Sequence, residues 1–405
     1  MKTTVSHFPT SPQRQAGFSM IELLVGLGIS LIGMLVIYHV LTVTQGYRRT
    51  STEVGAAQET GAVSLYYIER DLRRSGYGLQ GLLWQEPDQG AMLSAAAMLL
   101  PRAYGCTVQA RDSKRSSFNF RMAPALIQDG GVDANGSARP DQLTILFGSA
   151  RAHAFPPTLS ANVAAGNNPL RISNAMGLDN RDLIIVADLT TNTPSCELTQ
   201  VGDIRPPGDA ACPNITSRNQ PWCVNTVAPD TANHPFARPL AKPYTGQEEL
   251  TASPRTTPVL LNLGQSPANP TYSIVNPSSA SGAVRSVLVM RDGLFPDRDA
   301  TIAEGIVSLQ AQYAFRDGSF RNTLPAATAW ANVVGIRIAV VARSELLEKE
   351  AILAADPSTK RAKMVIFPGS ATSDEVALSL SDQENHYRYK IYQTVVPLRS
   401  IIWNS

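Results

Sequence analysis

Few residues in this chain are of types that do chemistry, and their spacing limits what they can do. The five histidines stand at 7, 39, 153, 234 and 386, too scattered to form a paired-imidazole metal motif. No H-E-x-x-H, G-x-S-x-G or G-x-x-x-x-G-K-[ST] pattern occurs. DANGSARPD comes nearest to a cation loop, with Asp133, Asn135 and Ser137 at alternate positions. It has Ala138 where a calcium loop needs glycine and Thr144 where it needs a bidentate glutamate, so a strand-leading turn is expected. DRDATIAEG, residues 297–305, is read in the same way. Cys106, Cys196, Cys212 and Cys223 make no C-x-x-C and have no histidine pair at ligand spacing. In an exported chain four such thiols suit two disulfides, with three connectivities open. No catalytic residue, metal ligand or cofactor is expected. One polar group remains conspicuous: Glu22, inside the apolar run MIELLVGLGISLIGM. A carboxylate costs about 2.5–3.5 kcal/mol in mid-membrane and less near a helix end, so it calls for a cationic partner.

The element that holds Glu22 is a long helix. Residues 23–43 carry no formal charge over 21 positions, enough to cross ~30 Å of hydrocarbon at ~1.5 Å per residue. A secretory signal has an apolar core of about 7–15 residues and a small-residue cut site; this run is longer, and YHVLTVTQGYRR after it has no such site. Lys2 and Arg14 on one side balance Arg48 and Arg49 on the other, so charge does not orient the segment. Beyond it, Val54, Ala57, Gly61, Leu65, Ile68 and Leu72 recur every three or four residues, one helical stripe. Glu69 and Arg73 add an i,i+4 pair. No proline interrupts the chain from Phe18 to Glu86, and Gly76 and Gly78 supply a stop near Ser75. A helix from Phe18 to about Arg74 would run roughly 85 Å. Its stripe is too short for a coiled-coil seam and is expected to dock under the chain's own C-terminal domain.

The 405 residues are 43% hydrophobic and 17% charged with net charge +2, which excludes a disordered chain and a nucleic-acid footprint. With 28 prolines and 28 glycines, the region after 80 reads as strands and loops. Strands are expected at 142–148, 182–188, 286–291, 333–343 and 391–400, each a β-branched run between turn residues. VSLQAQYAF (307–315) alternates, with Val307, Leu309, Ala311, Tyr313 and Phe315 on one face, before a turn at Arg316-Asp317-Gly318. An antiparallel, half-buried sheet follows. Residues 189–282 are irregular and hold three of the four cysteines, so an inserted, disulfide-pinned lobe is expected, with short strands such as PVLLNL (258–263).

RQAGFSMIELLVGLGISLIGM resembles the class III signal of type IV prepilins: a short polar leader ending in Gly17, then Phe18, Glu22 four residues on, and an apolar helix. ERDLRRSGYG, IAEGIVSLQAQYAF, WANVVGIRIAVVARS and YKIYQTVVPLRS resemble the PilW-like minor pilins. Unlike many major pilins, the apolar run has no helix-loosening proline. The resemblance implies cleavage after Gly17, N-methylation of Phe18 as the new N-terminus, and a role for Glu22 as the assembly carboxylate. It also implies a cytoplasmic leader and a periplasmic chain after about residue 45.

The expected architecture is α+β: leader 1–17, pilin helix 18–75 with a transmembrane part at about 21–43, and a β-rich globular domain 76–405 with the insert at 189–282. The resemblance implies a non-enzymatic minor pilin that primes type IV pilus assembly at the inner membrane and sits in the fibre near its tip. Implied partners are other minor pilins, the major pilin, the inner-membrane platform protein, the prepilin peptidase and membrane lipid, with no nucleic acid. The alternatives are a type II secretion pseudopilin, or a membrane-anchored adhesin or enzyme that uses the insert.

Overall fold

In the computed structural model the longest element is α1, Met20–Arg74, 55 residues without a break. The structure describes residues 17, 19–79, 104–113, 115, 117–151, 156–166, 168–188, 195–212, 220–227, 233–246, 257–276, 286–323, 325, 330, 332–368 and 375–402; at 43, 46–53 and 402 it describes backbone alone. Residues 1–16 of the expected leader, Phe18, and much of the expected insert lie outside these. The chain forms two compact units, Met1–Gly55 and Ala56–Ser405, so the division falls inside α1.

In the first unit, Met20–Thr42 is long and apolar enough to cross a membrane, with mean hydropathy 2.4, and none of its most apolar window is buried. The hydroxyls of Thr42 and Thr44 donate back to the carbonyls of His39 and Val40 at 2.8 and 2.7 Å. That keeps polar side chains satisfied within the helix, as an apolar solvent demands.

In the second unit α1 ends where the sequence supplies stop signals. Arg73 and Arg74 occupy its last turn, favourable at the negative end of the helix dipole. Gly76 then turns the chain at φ +73°, and its N–H donates to the Leu146 carbonyl at 2.8 Å.

Strands follow in this order: β1 Thr107–Ala110, β2 Phe118–Arg121, β3 Ala125–Gln128, β4 Gln142–Ile145, β5 Leu170–Ile172 and β6 Leu183–Asp188. Next come β7 Ser195–Gln200, β8 Asp203–Arg205, β9 Trp222–Asn225, β10 Val259–Gly264, β11 Pro270–Val275 and β12 Val287–Asp292. The last are β13 Ala300–Glu304, β14 Ile306–Phe315, β15 Phe320–Arg321, β16 Val333–Arg343, β17 Ala362–Val365, β18 Ala377–Leu380 and β19 Tyr389–Pro397, before a short helix α2, Arg399–Ile402. The sheet orders are β10-β6-β7-β1-β2, β13-β12-β11-β4-β3, β15-β14-β16-β19, β5-β9-β8 and the hairpin β17-β18. Among the described residues pairing is antiparallel, as expected, except that β1 runs parallel to β7.

The sheet β15-β14-β16-β19 sorts the C-terminal sequence by alternation. Ile336, Ile338, Val340 and Ala342 of β16 join Ala57, Ile68 and Leu72 of α1 in the main core. Ala339 and Val341 face the other way and pack with Leu378 and Leu380 of β18. The helix stripe thus docks on its own sheet. At Gly61 the approach is so close that a Cβ would meet the Tyr392 ring and the Ala342 methyl. Trp330 is fully buried, edge-on to Tyr104 and Tyr313 at 5.6 Å each.

Two expectations are corrected by long-range packing. Val307 does not share a face with Leu309, Ala311, Tyr313 and Phe315: the register shifts between Ile306 and Ser308, so Ile306 enters the core and Val307 joins the outer cluster. The segment 189–282 does not stand apart as a lobe. β7 and β10 are strands of the same sheet as β1, and Cys196, Leu198, Val259, Leu261 and Leu263 lie in the main core. A run as apolar as VLLNLG has two faces to bury, and sheet membership covers both. Part of the segment, β8 and β9, does form a small sheet with β5, over a second cluster that includes Leu159, Leu170, Ile184 and Val224.

Candidate functional site

The fold places its buried polar groups at the contacts between elements. They lock α1 to the sheets, tie loops down, and leave one end of α1 uncovered.

The lock lies near the end of α1. The buried face of residues 56–74 carries Ala57, Gly61, Ser64, Ile68, Asp71 and Leu72 at helical spacing. The Ser64 hydroxyl donates back to the Thr60 carbonyl at 2.7 Å, which satisfies it inside the interface. Asp71, only 4% exposed, accepts the phenol proton of Tyr272 (β11) at 2.7 Å on Oδ2 and Arg70 Nε at 3.0 Å on Oδ1. Burial, reinforced by the Asp71 charge, holds the Tyr272 phenol far above its ordinary range, so it remains a donor. Arg70 also stacks over Tyr67, and Arg74 over Phe147. Sequence reading missed this pair. The available signal was a carboxylate three residues after Ile68, on the edge of an otherwise apolar stripe.

Other buried carboxylates hold loops through backbone N–H groups. Glu197 accepts from Ala241 and Lys242 at 2.7 and 2.9 Å, and Asp292 accepts from Leu294 at 2.9 Å. Asp141 accepts from Gly130 and Ala311 at 2.9 and 2.8 Å. Burial pushes its carboxyl up to about 6 against the lowering effect of those two donors. Asp133 accepts from the N–H groups of Asn135 and Ser137 at 2.8 and 2.9 Å, in a turn closed by the Val132–Ala138 bridge. That is the strand-leading turn expected of DANGSARPD. Among the described residues no cluster of three His, Cys, Asp or Glu could hold a metal. His386 Nδ1 meets the Glu348 carbonyl at 3.0 Å, a structural contact; His7 and His153 lie outside the described residues.

The cysteines form two disulfides, Cys106–Cys196 and Cys212–Cys223, with Cα–Cα distances of 6.3 and 5.6 Å. The first follows from topology, because the parallel pairing puts Cys196 opposite Val108, two residues from Cys106. The second closes an 11-residue separation beside β9.

At the other end of α1, Gly17 is exposed, with open space around its Cα, and Glu22 lies in the first turn. A carboxylate there favours the positive end of the helix dipole. Among the described residues no cation pairs with it. The expected partner position, Phe18, lies outside the described residues.

Two family models match the chain. Residues 12–38 match the prokaryotic N-terminal methylation motif, the stretch that holds Gly17 and Glu22. Residues 271–400 match Type IV Pilus-assembly protein W, a span that runs from β11 to the start of α2 and includes Tyr272 and the sheet under α1. No curated protein and no solved structure matches the chain. Over these two spans the chain, with its uncovered apolar helix and its helix-bearing C-terminal sheet, is similar to PilW-like type IV pilins, components associated with the pilus.

Proposed function

We propose that this chain is a minor pilin that primes type IV pilus assembly at the inner membrane and is incorporated into the fibre near its tip. The observation that carries the reading is the joining of two parts in one unbroken helix. Residues 20–42 are apolar and uncovered, whereas residues 56–74 are bound into a PilW-matching domain. Such a helix can be drawn from a bilayer into a helical assembly while its globular domain stays folded.

In this reading the prepilin peptidase cuts after Gly17 on the cytoplasmic face and N-methylates Phe18. The β domain stands in the periplasm. The new Phe18 amine is a cation in an apolar setting, and Glu22 of a neighbouring subunit is its counter-ion. A paired buried charge is tolerable where a lone one is not, so the pair sets the register of docking. The major pilin, other minor pilins and the platform protein are the partners, and no enzymatic step is assigned to the chain.

The test is a strain that lacks this gene product, scored for surface pili, twitching and type II secretion. Lost piliation with intact secretion is expected, restored by the wild-type chain. Glu22→Leu should insert and be cleaved yet fail to restore pili. Lost secretion with normal pili would favour a pseudopilin instead, and full piliation by cleaved Glu22→Leu would remove the role given to the carboxylate.

A further inference from the structure

The turn DANGS, residues 133–137, contains the only Asn-Gly pair in the 405 residues. Ala134, Asn135 and Gly136 are all exposed, so water reaches both members of the pair. An asparagine side-chain carbonyl carbon stands within reach of the next main-chain nitrogen. A following glycine leaves that nitrogen unshielded, because it has no Cβ. The surroundings of Gly136 are open as well: φ is +71°, and an added Cβ would meet nothing within 4 Å. Its N–H donates to the Asp133 carbonyl at 3.0 Å, a bond at an exposed loop tip that opens at low cost.

The three Asp-Gly pairs, 129–130, 292–293 and 317–318, offer the same spacing but poorer chemistry. Asp292 is buried and accepts from the Leu294 and Phe295 N–H groups. The Gly130 N–H is held by Asp141 at 2.9 Å, and the Arg139 and Pro140 carbonyls crowd its Cα. Asp317 is exposed, but hydrogen bonds from Ser319 hold its carboxyl below the ordinary range. An ionised carboxylate is a poor electrophile, whereas the neutral amide of Asn135 is not penalised in this way.

We infer that Asn135 is a self-modification site, converting with time to aspartate and isoaspartate with water as the co-reactant. The Gly136 nitrogen loses its proton and attacks the side-chain carbonyl carbon of Asn135, forming a new C–N bond. The side-chain amide C–N bond breaks, and its nitrogen takes up a proton and leaves as ammonia. Water then opens the cyclic imide. Addition at the side-chain carbonyl gives aspartate; addition at the main-chain carbonyl gives isoaspartate, with a methylene inserted into the main chain. No oxidation or reduction is involved, and the chemistry does not depend on the pilin reading.

The turn is where such a change has structural effect. Asp133 Oδ1 accepts from the Asn135 and Ser137 N–H groups at 2.8 and 2.9 Å, and the Asp133 N–H donates to the Ser137 carbonyl at 2.9 Å. The turn in turn rests on β18: the Ala138 N–H donates to the Ala377 carbonyl, and the Ser379 N–H to Ser137 Oγ, both at 2.9 Å. A longer main chain breaks that spacing, and the new carboxylate stands beside Asp133 as a like charge. Isoaspartate therefore loosens the turn from β18.

The test uses purified full-length chain, kept folded at physiological temperature in mildly alkaline buffer. Peptide mapping with fragmentation should show amide-to-carboxyl conversion at Asn135 before any other asparagine. Isoaspartyl methyltransferase should label the aged chain. Asn135→Gln keeps Gly136 and the length of the turn but closes an imide far less readily, so it should lose the label. In the converted chain the Ala138 and Ser379 amides should exchange hydrogen faster than in fresh protein. Asn135 left intact in the folded chain while the urea-unfolded chain converts would overturn the site. Equal labelling of Asn135→Gln would overturn it too, and unchanged exchange at Ala138 and Ser379 would remove the loosening from β18.

Discussion

Replacing Tyr272 by phenylalanine removes one oxygen from a site where its loss has a calculable cost. The phenol is 1% exposed and donates at 2.7 Å to Asp71, itself 4% exposed. A net hydrogen bond to a charged group contributes about 1.5–3 kcal/mol, and the carboxylate oxygen left behind is buried without that donor. Arg70 still covers the other oxygen at 3.0 Å, which limits the damage. The expected destabilisation is therefore about 2–3 kcal/mol, a substantial part of the ~5–15 kcal/mol typical of a folded chain. In urea it should move the unfolding midpoint down by roughly 0.5–1 M. A double-mutant cycle with Asp71→Ala assigns the loss to the pair, with a coupling of about 1–2 kcal/mol. Tyr66→Phe, on the exposed side of the same helix, should change little. Tyr272→Phe within about 0.5 kcal/mol of wild type, or simple additivity in the cycle, would refute the lock between α1 and β11.

Further expectations follow from other parts of the molecule. Gly17→Asp should leave an uncleaved precursor in the membrane, read by its size on a gel; normal mature protein in that variant would sink the assigned cut. Native mature protein should show no free thiols by mass spectrometry. Loss of the Cys106–Cys196 bond, 90 residues apart, should destabilise by about 4–5 kcal/mol in the chain-entropy picture, against about 3 kcal/mol for Cys212–Cys223, 11 apart. Paired Cys→Ala variants compared by thermal unfolding check that order. Asp141 has its folded-state carboxyl raised from 3.8 to about 6. Its contribution to stability is therefore full below about pH 4 and is lost as pH rises through about 6, by up to roughly 3 kcal/mol. Asp141→Asn should lack this decline, and parallel pH–stability curves for variant and wild type would contradict it. Gly61→Leu should push α1 off Tyr392 and Ala342 and cost at least about 1–3 kcal/mol by overpacking, measurable as a lower unfolding midpoint.

What could be read along the chain was whatever one element settles by its own periodicity. The stripe Ala57, Gly61, Ile68, Leu72 lies on the buried face of α1, because a period of 3.6 depends only on neighbouring residues. VVGIRIAVVAR is a strand over the very residues expected, Val333–Arg343, and the turn at Gly318 follows β14 with φ +83°. The apolar span Met20–Thr42 was equally plain. QLTILFG was read too long: β4 stops at Ile145, and Phe147 instead bridges Ala268.

Tertiary structure decided which elements meet. The sequence leaves three ways to pair four cysteines, and only the parallel placement of β1 beside β7 brings Cys106 to Cys196 across 90 residues. The same assembly drew β7 and β10 out of the irregular segment into the main sheet, because a five-stranded sheet buries their apolar faces and a small lobe does not. Val307 turned outward through a shift in pairing with β16, and the pattern of β14 alone does not record it. Asp71 and Tyr272 lie 201 residues apart, and neither side chain signals the other until the helix is docked on the sheet. Local periodicity is encoded within a few residues; pairing between distant strands depends on the free energy of the whole packed arrangement, which no single stretch carries.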